Sequence, residues 1–305
     1  MPRSVLRIGT RGSALALAQA ETVRRSVSQI ITKRNFELVP MTTPGDTAAT
    51  QGAVANKAMF VSEIQQALLE KKIDLAVHSA KDLPAQTPEG LVLASVPPRE
   101  DPRDALVTRT GAVLSQLQPG TTVGTSAARR RAQLLALGRG FDVVPVRGNI
   151  DTRLRKLSEG EVQSLVVALA GLRRLGRENR AAEILPIDVM LPAPGQGALV
   201  VECRAGDRDM RAALGQIEDS AARTTFEAER SFLIAMGGDC NVPLGALAEI
   251  VDGRVRLRGL VASADGRRMH IDQVEGDDAE KAGLLLAERM RAAGADEIIS
   301  SSSAE

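Results

Sequence analysis

Residues 5–20 read VLRIGTRGSALALAQA, and residues 123–131 read VGTSAARRR. Each begins as a short apolar run, passes through Gly-Thr into a polar turn, and opens into a helix-forming stretch. Two such strand-to-helix junctions in one chain predict an α/β protein whose second unit repeats the pattern of the first. Working outward from the first junction, strands are expected at 5–9, 37–41, 73–77 and 91–96. Helices are expected at 14–31 and over 60–72, where Phe60, Ile64, Ala67 and Leu68 fall at helical spacing. Around the second junction the expected strands are 122–124, 143–146 and 164–169. The expected helices there are 126–137, capped by Ser126, and 150–157.

Two breaks punctuate this alternation. PPREDPRD at 97–104 is rich in turn formers, and LPAPGQGAL at 191–199 is broken by Pro and Gly. A further strand, ALVVECR (198–204), follows the second break. The chain is therefore expected to leave a first domain (1–97 and 198–217), build a second (98–197), and return. After residue 217 the character changes to one helix (220–236), three strands with Asp-Gly turns at 252–253 and 265–266, and an amphipathic helix at 278–293. This segment, 218–305, reads as a small α+β domain. The stretch 42–57, TTPGDTAATQGAVANK, lacks an apolar period and reads as a loop, either over a cleft or plain surface.

Composition narrows the function classes. The 305 residues include no Trp, no Tyr and five Phe, so stacking platforms for single-stranded nucleic acid are absent from the pattern. No apolar run approaches the roughly 20 residues of a membrane span. The N-terminal residues do not read as a signal peptide, and two distant cysteines, Cys203 and Cys240, suit a reducing cytoplasm. Two His and two scattered Cys make no metal constellation. Charge is local: residues 121–180 hold twelve Lys or Arg against five Asp or Glu, and eleven of the twelve are Arg. Since the whole chain carries +1, this excess points to a confined anion site, with Arg suited to gripping carboxylates or phosphates two oxygens at a time.

The junctions present Thr10, Arg11 and Ser13 in one case, and Thr125, Ser126, Arg129 and Arg130 in the other. RGNIDTR at 147–153 adds Arg147 and Arg153. Helix N-termini with Arg nearby are anion sites, while Ser and Thr there also serve as plain caps; both readings fit either junction alone. VHSAKDLP (77–84) ends an apolar strand in His78, Ser79, Lys81 and Asp82. A carboxylate at such a strand end can stabilise a developing cation or move a proton, and a surface Lys-Asp pair is the plainer alternative. His78 reads as a hydrogen-bonded core residue. Cys240, in the loop GGDC, is accessible enough to react as a thiolate, although a lone cysteine is more often structural, and Cys203 inside a strand reads as packing.

Taken together, LRIGTRGSALALAQA, VHSAKDLP, REDPRDALV, VGTSAARR, VRGNIDTRL, ALAGLRRLG, LPAPGQGAL and GGDCNVPLG, in this order, resemble the hydroxymethylbilane synthase (porphobilinogen deaminase) family. The resemblance implies two periplasmic-binding-protein-like (transferrin-like) α/β domains with a hinged cleft, plus a small C-terminal α+β domain. It implies a monomeric cytoplasmic transferase that condenses porphobilinogen units head to tail with loss of ammonia. It also implies a covalent dipyrromethane cofactor on Cys240, with Asp82 as the catalytic residue. Arg11, Ser13, Lys81, Thr125, Ser126, Arg129, Arg130, Arg147, Arg153, Arg174 and Gln196 would hold carboxylates of cofactor and substrate, and Lys57 and Phe60 would belong to a loop over the site. This chain departs from the family pattern at Pro44, Ala58, Ala127 and the inserted Asp239 of GGDC. A non-catalytic anion-binding module would explain the junctions but gives no role to Asp82 or Cys240. A nucleic-acid binder fits less well, because the basic excess is confined.

Overall fold

A computed structural model describes residues 5–42, 61–237 and 243–302. In chain order the elements begin β1 (Val5–Arg11), α1 (Ala14–Ile30), β2 (Asn35–Met41), α2 (Ser62–Leu69), β3 (Leu75–Ser79), a single 3-10 turn (Ala80–Asp82) and β4 (Leu91–Ser95). There follow β5 (Asp104–Thr108), β6 (Thr122–Gly124), α3 (Ala128–Ala136), β7 (Asp142–Val144), α4 (Ile150–Glu159), β8 (Ser164–Ala168), α5 (Leu169–Arg174) and β9 (Glu183–Ile184). The chain then forms β10 (Leu199–Arg204), α6 (Arg208–Gly215) and α7 (Ser220–Ala235). It closes with β11 (Leu244–Val251), β12 (Arg254–Ala262), β13 (Met269–Gly276), α8 (Ala279–Ala292) and α9 (Ala295–Ser302).

The contacts divide the chain into two compact units. One comprises residues up to Glu100 together with Ala198–Arg223; the other comprises Asp101–Gly197 and the residues from Thr224 onward. In the first unit the strands are ordered β2-β1-β3-β10-β4, with β1 parallel to β2 and β3, and β10 antiparallel to β3 and β4. Alternation along the strands splits the core in two. Leu6, Ile8, Leu75, Val77, Leu199 and Val201 pack with Ala20, Val23 and Val27 of α1 and with Met210 and Leu214 of α6. On the other face Ala76 packs with Ile64, Ala67 and Leu68 of α2. Helix α1 starts where expected because Ser13 Oγ accepts the Ala16 N–H at 3.2 Å.

The second unit repeats the same plan. Its strands are ordered β7-β6-β8-β5-β9, with β6 parallel to β7 and β8, and β5 antiparallel to β8 and β9. Both five-stranded sheets thus combine four strands running one way with an antiparallel strand in the fourth position. The three-stranded antiparallel sheet β11-β12-β13 is covered by α7 and α8 through Phe232, Leu286 and Met290. Its first turn is the expected one: Asp252 and Gly253 both take positive φ, at 51° and 77°, as a two-residue hairpin turn requires. The mixed α/β architecture with a C-terminal antiparallel sheet matches the expectation from sequence.

Several details differ from the sequence reading. Strand β5 was not anticipated, because DALVT follows directly on the turn-rich run and is too short to show a period. Helix α9 was also missed, being polar and starting just after Gly294. Ser126 does not cap α3: the N-cap is Ala127, which makes no side-chain cap hydrogen bond. The hydroxyl at that turn is Thr125 Oγ1, which accepts from Ala127 N at 3.3 Å, and Ser126 is exposed.

The three-stranded sheet and α3 meet closely. Ala132 of α3 packs with Leu247, Leu260 and Ala262. At Gly266, with φ of +71°, an added Cβ would stand 2.4 Å from the Ala132 carbonyl oxygen and 2.9 Å from Ala136 N. Because that oxygen and nitrogen belong to a helix backbone, the contact cannot be relieved by a side-chain rotation. Gly266→Ala is expected to destabilise the protein by about 2–3 kcal/mol in denaturant unfolding, and parent-like stability would contradict this close approach.

Candidate active site

In a sheet with strand order 2-1-3, the chain leaves the central strand to opposite sides, and the carboxyl ends of the two diverging parallel strands form a crevice suited to ligands. In the first unit these ends belong to β1 and β3. Arg11 is the last residue of β1, and Asp82 closes the 3-10 turn that follows β3. Arg11 and Asp82 approach to 4.0 Å, and the Asp82 side chain is 40% exposed. An ion pair this long and this accessible holds the carboxylate weakly and leaves it open to a ligand. The turn is anchored from behind by Ala80 N, which donates to Ala198 O at 3.1 Å. Lys81 is half-buried beside Asp82. Ser13 lies at the same edge but uses its oxygen as the α1 cap.

In the second unit the corresponding ends belong to β6 and β8. Thr125 follows β6 and is buried. The arginines of α3 turn inward, not outward. Arg129 Nη1 donates to Asp104 Oδ2 at 2.6 Å and to Leu191 O at 2.9 Å, and its Nη2 donates to Gln196 Oε1 at 3.1 Å. Arg130 reaches Asp104 Oδ1 through Nη2 at 2.7 Å and through Nε at 3.1 Å, and its Nη1 donates to Val166 O at 3.1 Å. Gln196 Nε2 adds a bond to Asp104 Oδ1 at 2.9 Å and another to Pro102 O at 2.7 Å. Asp104 is fully buried, and Arg129 and Arg130 nearly so.

The electrostatics follow from this crowding. Burial alone would raise the Asp104 carboxyl, but the charges and hydrogen bonds of Arg129 and Arg130 outweigh it and hold the group well below the usual carboxylate range. For Arg129, burial pushes the guanidinium below its ordinary value, Asp104 opposes, and Arg130 adds to the depression. Two guanidinium groups share one carboxylate, so the cluster keeps a surplus positive charge. Arg153 increases it: burial first, and the charge of Arg130 second, lower its guanidinium to about 10. Its Nε donates to Gly148 O at 2.8 Å, and among the described residues no carboxylate pairs with it. Arg174 Nη2 donates to Gly197 O at 2.7 Å, and Arg147 is exposed.

The described residues therefore group Arg11, Lys81 and Asp82 in one unit, and Arg129, Arg130 and Gln196 in the other with Arg153 close to Arg130. Cys240, Lys57 and Phe60 lie outside the described residues, as do Pro44, Ala58 and nearly all of the loop at 42–57. Among the described residues no cluster of His, Cys, Asp or Glu could hold a metal ion. Cys203 is buried, and desolvation first, then Asp207, raise its thiol to about 11, so it stays protonated packing. Sequence reasoning missed Asp104. Its signal was an acidic residue opening an apolar run in a chain whose following sixty residues carry a large Arg excess.

Replacing Asp104 by Asn would leave two buried guanidinium groups without their anion. Asp104→Asn is expected to cost about 3–5 kcal/mol of stability at pH 7. The native carboxyl lies below its unfolded value, so its contribution is complete above the ordinary carboxylate pKa and fades as pH falls. The gap between parent and variant should therefore be widest at neutral pH and narrow below about pH 4. A gap that widens on acidification would contradict the assigned pairing.

Residues 6–212 match the family described as porphobilinogen deaminase, dipyromethane cofactor binding domain, and residues 223–292 match porphobilinogen deaminase, C-terminal domain. A porphobilinogen deaminase of Syntrophotalea carbinolica is 46% identical, covering 98% of this chain and 96% of its own length. One from Nocardia farcinica is 47% identical, covering 96% of this chain and 88% of its own length. Among solved structures, the methionine-binding protein MetQ is similar with a TM-score of 0.44 at 13% identity, covering 77% of this chain and 97% of its own. The family match spans both units and the likeness to its named members runs nearly end to end: the chain belongs to the porphobilinogen deaminase family.

Proposed function

We propose that the chain is a hydroxymethylbilane synthase. It joins four porphobilinogen molecules head to tail with release of ammonia, and hydrolyses the product to linear hydroxymethylbilane. The observation that carries this reading is the charge surplus around Arg130 and Arg153. Porphobilinogen and its oligomers bear two carboxylates on every pyrrole, so a growing chain is a polyanion. A buried cluster with more guanidinium than carboxylate is complementary to such a molecule and mismatched to a neutral one.

The same surplus is the test of fit for dipyrromethane, which carries four carboxylates. Arg153, depressed to about 10 by burial and by Arg130, is a group that an added carboxylate would relieve. Arg11, Ser13, Lys81, Thr125, Ser126, Arg129, Arg130, Arg147, Arg153, Arg174 and Gln196 are the residues assigned to cofactor and substrate carboxylates. Cys240 is assigned as the covalent anchor, and Lys57 and Phe60 to the loop over the site. When bound, the dipyrromethane supplies a tethered primer whose free end is the nucleophile.

Asp82 is assigned the chemical work. As ammonia leaves porphobilinogen, positive charge spreads over the substrate ring, and a fixed carboxylate stabilises it more in that state than before. The same oxygen can take the proton released when the new carbon–carbon bond forms. Arg11, at 4.0 Å, is far enough to orient Asp82 without neutralising it. The arginines meanwhile hold the reacting carbons near one another by gripping carboxylates on both partners, which supplies proximity.

The chain is proposed to act as a monomer in the cytoplasm. Among the described residues no helix is long and apolar enough to cross a membrane. The division into 1–97 with 198–217, 98–197 and 218–305 is retained as the proposed domain scheme.

Intact-mass measurement tests this function. The parent protein should exceed the mass of its chain by one dipyrromethane, and Cys240→Ser should show the bare chain. Asp82→Asn should keep the added mass and lose at least about 10²-fold in turnover of porphobilinogen. A parent protein of bare-chain mass that fails to consume porphobilinogen would overturn the reading.

A further inference from the structure

Inside the first unit, three polar side chains meet on the sheet face that α2 covers. Glu202 of β10 is fully buried, and His78 of β3 and Gln65 of α2 are nearly so. His78 Nε2 lies 2.9 Å from Glu202 Oε2, and Gln65 Nε2 donates to Glu202 Oε1 at 2.9 Å. Their surroundings are apolar: Ile64, Ala67 and Leu68 of α2, with Ile73 and Ala76.

A trio of this kind is a poor way to gain stability. Taking a carboxylate and an imidazole out of water is costly, and apolar side chains of similar volume are often as stabilising or better. What the trio provides is position. Glu202 stands opposite Ala76 in the antiparallel ladder, and His78 stands opposite Val200. Glu202, Ala76 and His78 therefore share one face, and the contact from Glu202 to His78 runs diagonally across the two strands. It ties β3 to β10 one residue before β3 ends at Ser79. Pairing continues through Ser79 opposite Leu199 and through the bond from Ala80 N to Ala198 O, and the turn bearing Asp82 begins there. Gln65 fastens α2 to the same carboxylate. Three elements are thereby locked together four residues from Asp82, where a slip of one register position would displace the turn by about 3.3 Å.

We infer that Glu202 is a positioning residue for Asp82, acting through His78 and the β3–β10 register. The inference rests on the assignment of Asp82 as the catalytic carboxylate. Glu202 itself is buried and touches no substrate; its part is to fix the strand whose end presents Asp82. A misplacement of about 1 Å at a reacting group can cost up to about 10²-fold in rate, so loss of the lock is expected to appear in turnover and not in binding.

The test is a double-mutant cycle on the holoenzyme. Glu202→Gln should keep the dipyrromethane mass, lower kcat by at least about tenfold and leave KM within about threefold. Combined with Asp82→Asn, it should cause less than about twofold further loss, because a misplaced carboxylate that is no longer there cannot be missed. Parent-like kcat in Glu202→Gln, or an equal loss in both backgrounds, overturns the inference and leaves Asp82 in place. Full activity in Asp82→Asn alone overturns both assignments. Should Glu202→Gln not fold, the pair Glu202→Met with His78→Leu removes both polar partners at once. That protein should melt within a few degrees of the parent and show the same kcat loss in the same cycle. Parent-like kcat, or failure of this apolar pair to fold, would count the trio as structural and overturn the inference.

Discussion

The second unit is organised around one buried carboxylate held between two buried guanidinium groups. Asp104 is the only full anion paired with Arg129 and Arg130 among the described residues, and it sits at the first residue of β5, where the chain enters the second sheet. The arrangement fixes α3 to β5 and, through Gln196 and the Leu191 carbonyl, fixes the segment that leads out of the unit. It also fixes the sign of the site. One negative charge cannot balance Arg129, Arg130 and the nearby Arg153, so the unit retains a positive centre built into its core and not spread over a solvated face. Positive charge in such a place is stabilised by whatever anion the site is made to hold, and carboxylated pyrroles supply anions in pairs.

The two five-stranded sheets show the same device in different chemistry. In each, the antiparallel fourth strand is the one that arrives after a crossing of the chain. In each, that strand carries a fully buried carboxylate: Asp104 on β5 and Glu202 on β10. Asp104 binds the arginines of the helix after β6, while Glu202 binds His78 on β3 and Gln65 on α2. In the first unit the carboxylate thus ties the incoming strand directly to β3, and in the second it ties the incoming strand to the helix that follows β6. Buried polar contacts of this sort give geometry more reliably than stability, which is what a site assembled on strand ends requires.

Much of this was legible in the sequence because it depends on local chemistry. The junction at Gly9–Ser13 was readable from an apolar strand, a turn and a capping serine, and the hairpin at Asp252–Gly253 from a dipeptide suited to positive φ. Asp82 was readable as a carboxylate at a strand end, and His78 as a hydrogen-bonded core residue. What stayed hidden depends on contacts between distant segments. Arg129 and Arg130 read as groups facing a ligand, yet their direct partner is an aspartate about 25 residues earlier, within a run that looked like linker. Ser126 read as a helix cap because its type and position suit one, but Thr125 closes that turn. Glu202 gave no signal, since its partners lie 124 and 137 residues away in the chain.

The positive surplus at Arg153 is a cost that bound carboxylates would relieve. This is tested most directly by thermal unfolding of the cofactor-free protein, Cys240→Ser, with and without Arg153→Met. Burial and Arg130 hold Arg153 at about 10, so removing its charge relieves repulsion and desolvation. The Met variant should have an equal or higher midpoint in the cofactor-free protein, and the same substitution should lower the midpoint in protein that retains Cys240 and its dipyrromethane. A drop of several degrees in the cofactor-free protein would instead show that Arg153 is already balanced from within and awaits no carboxylate.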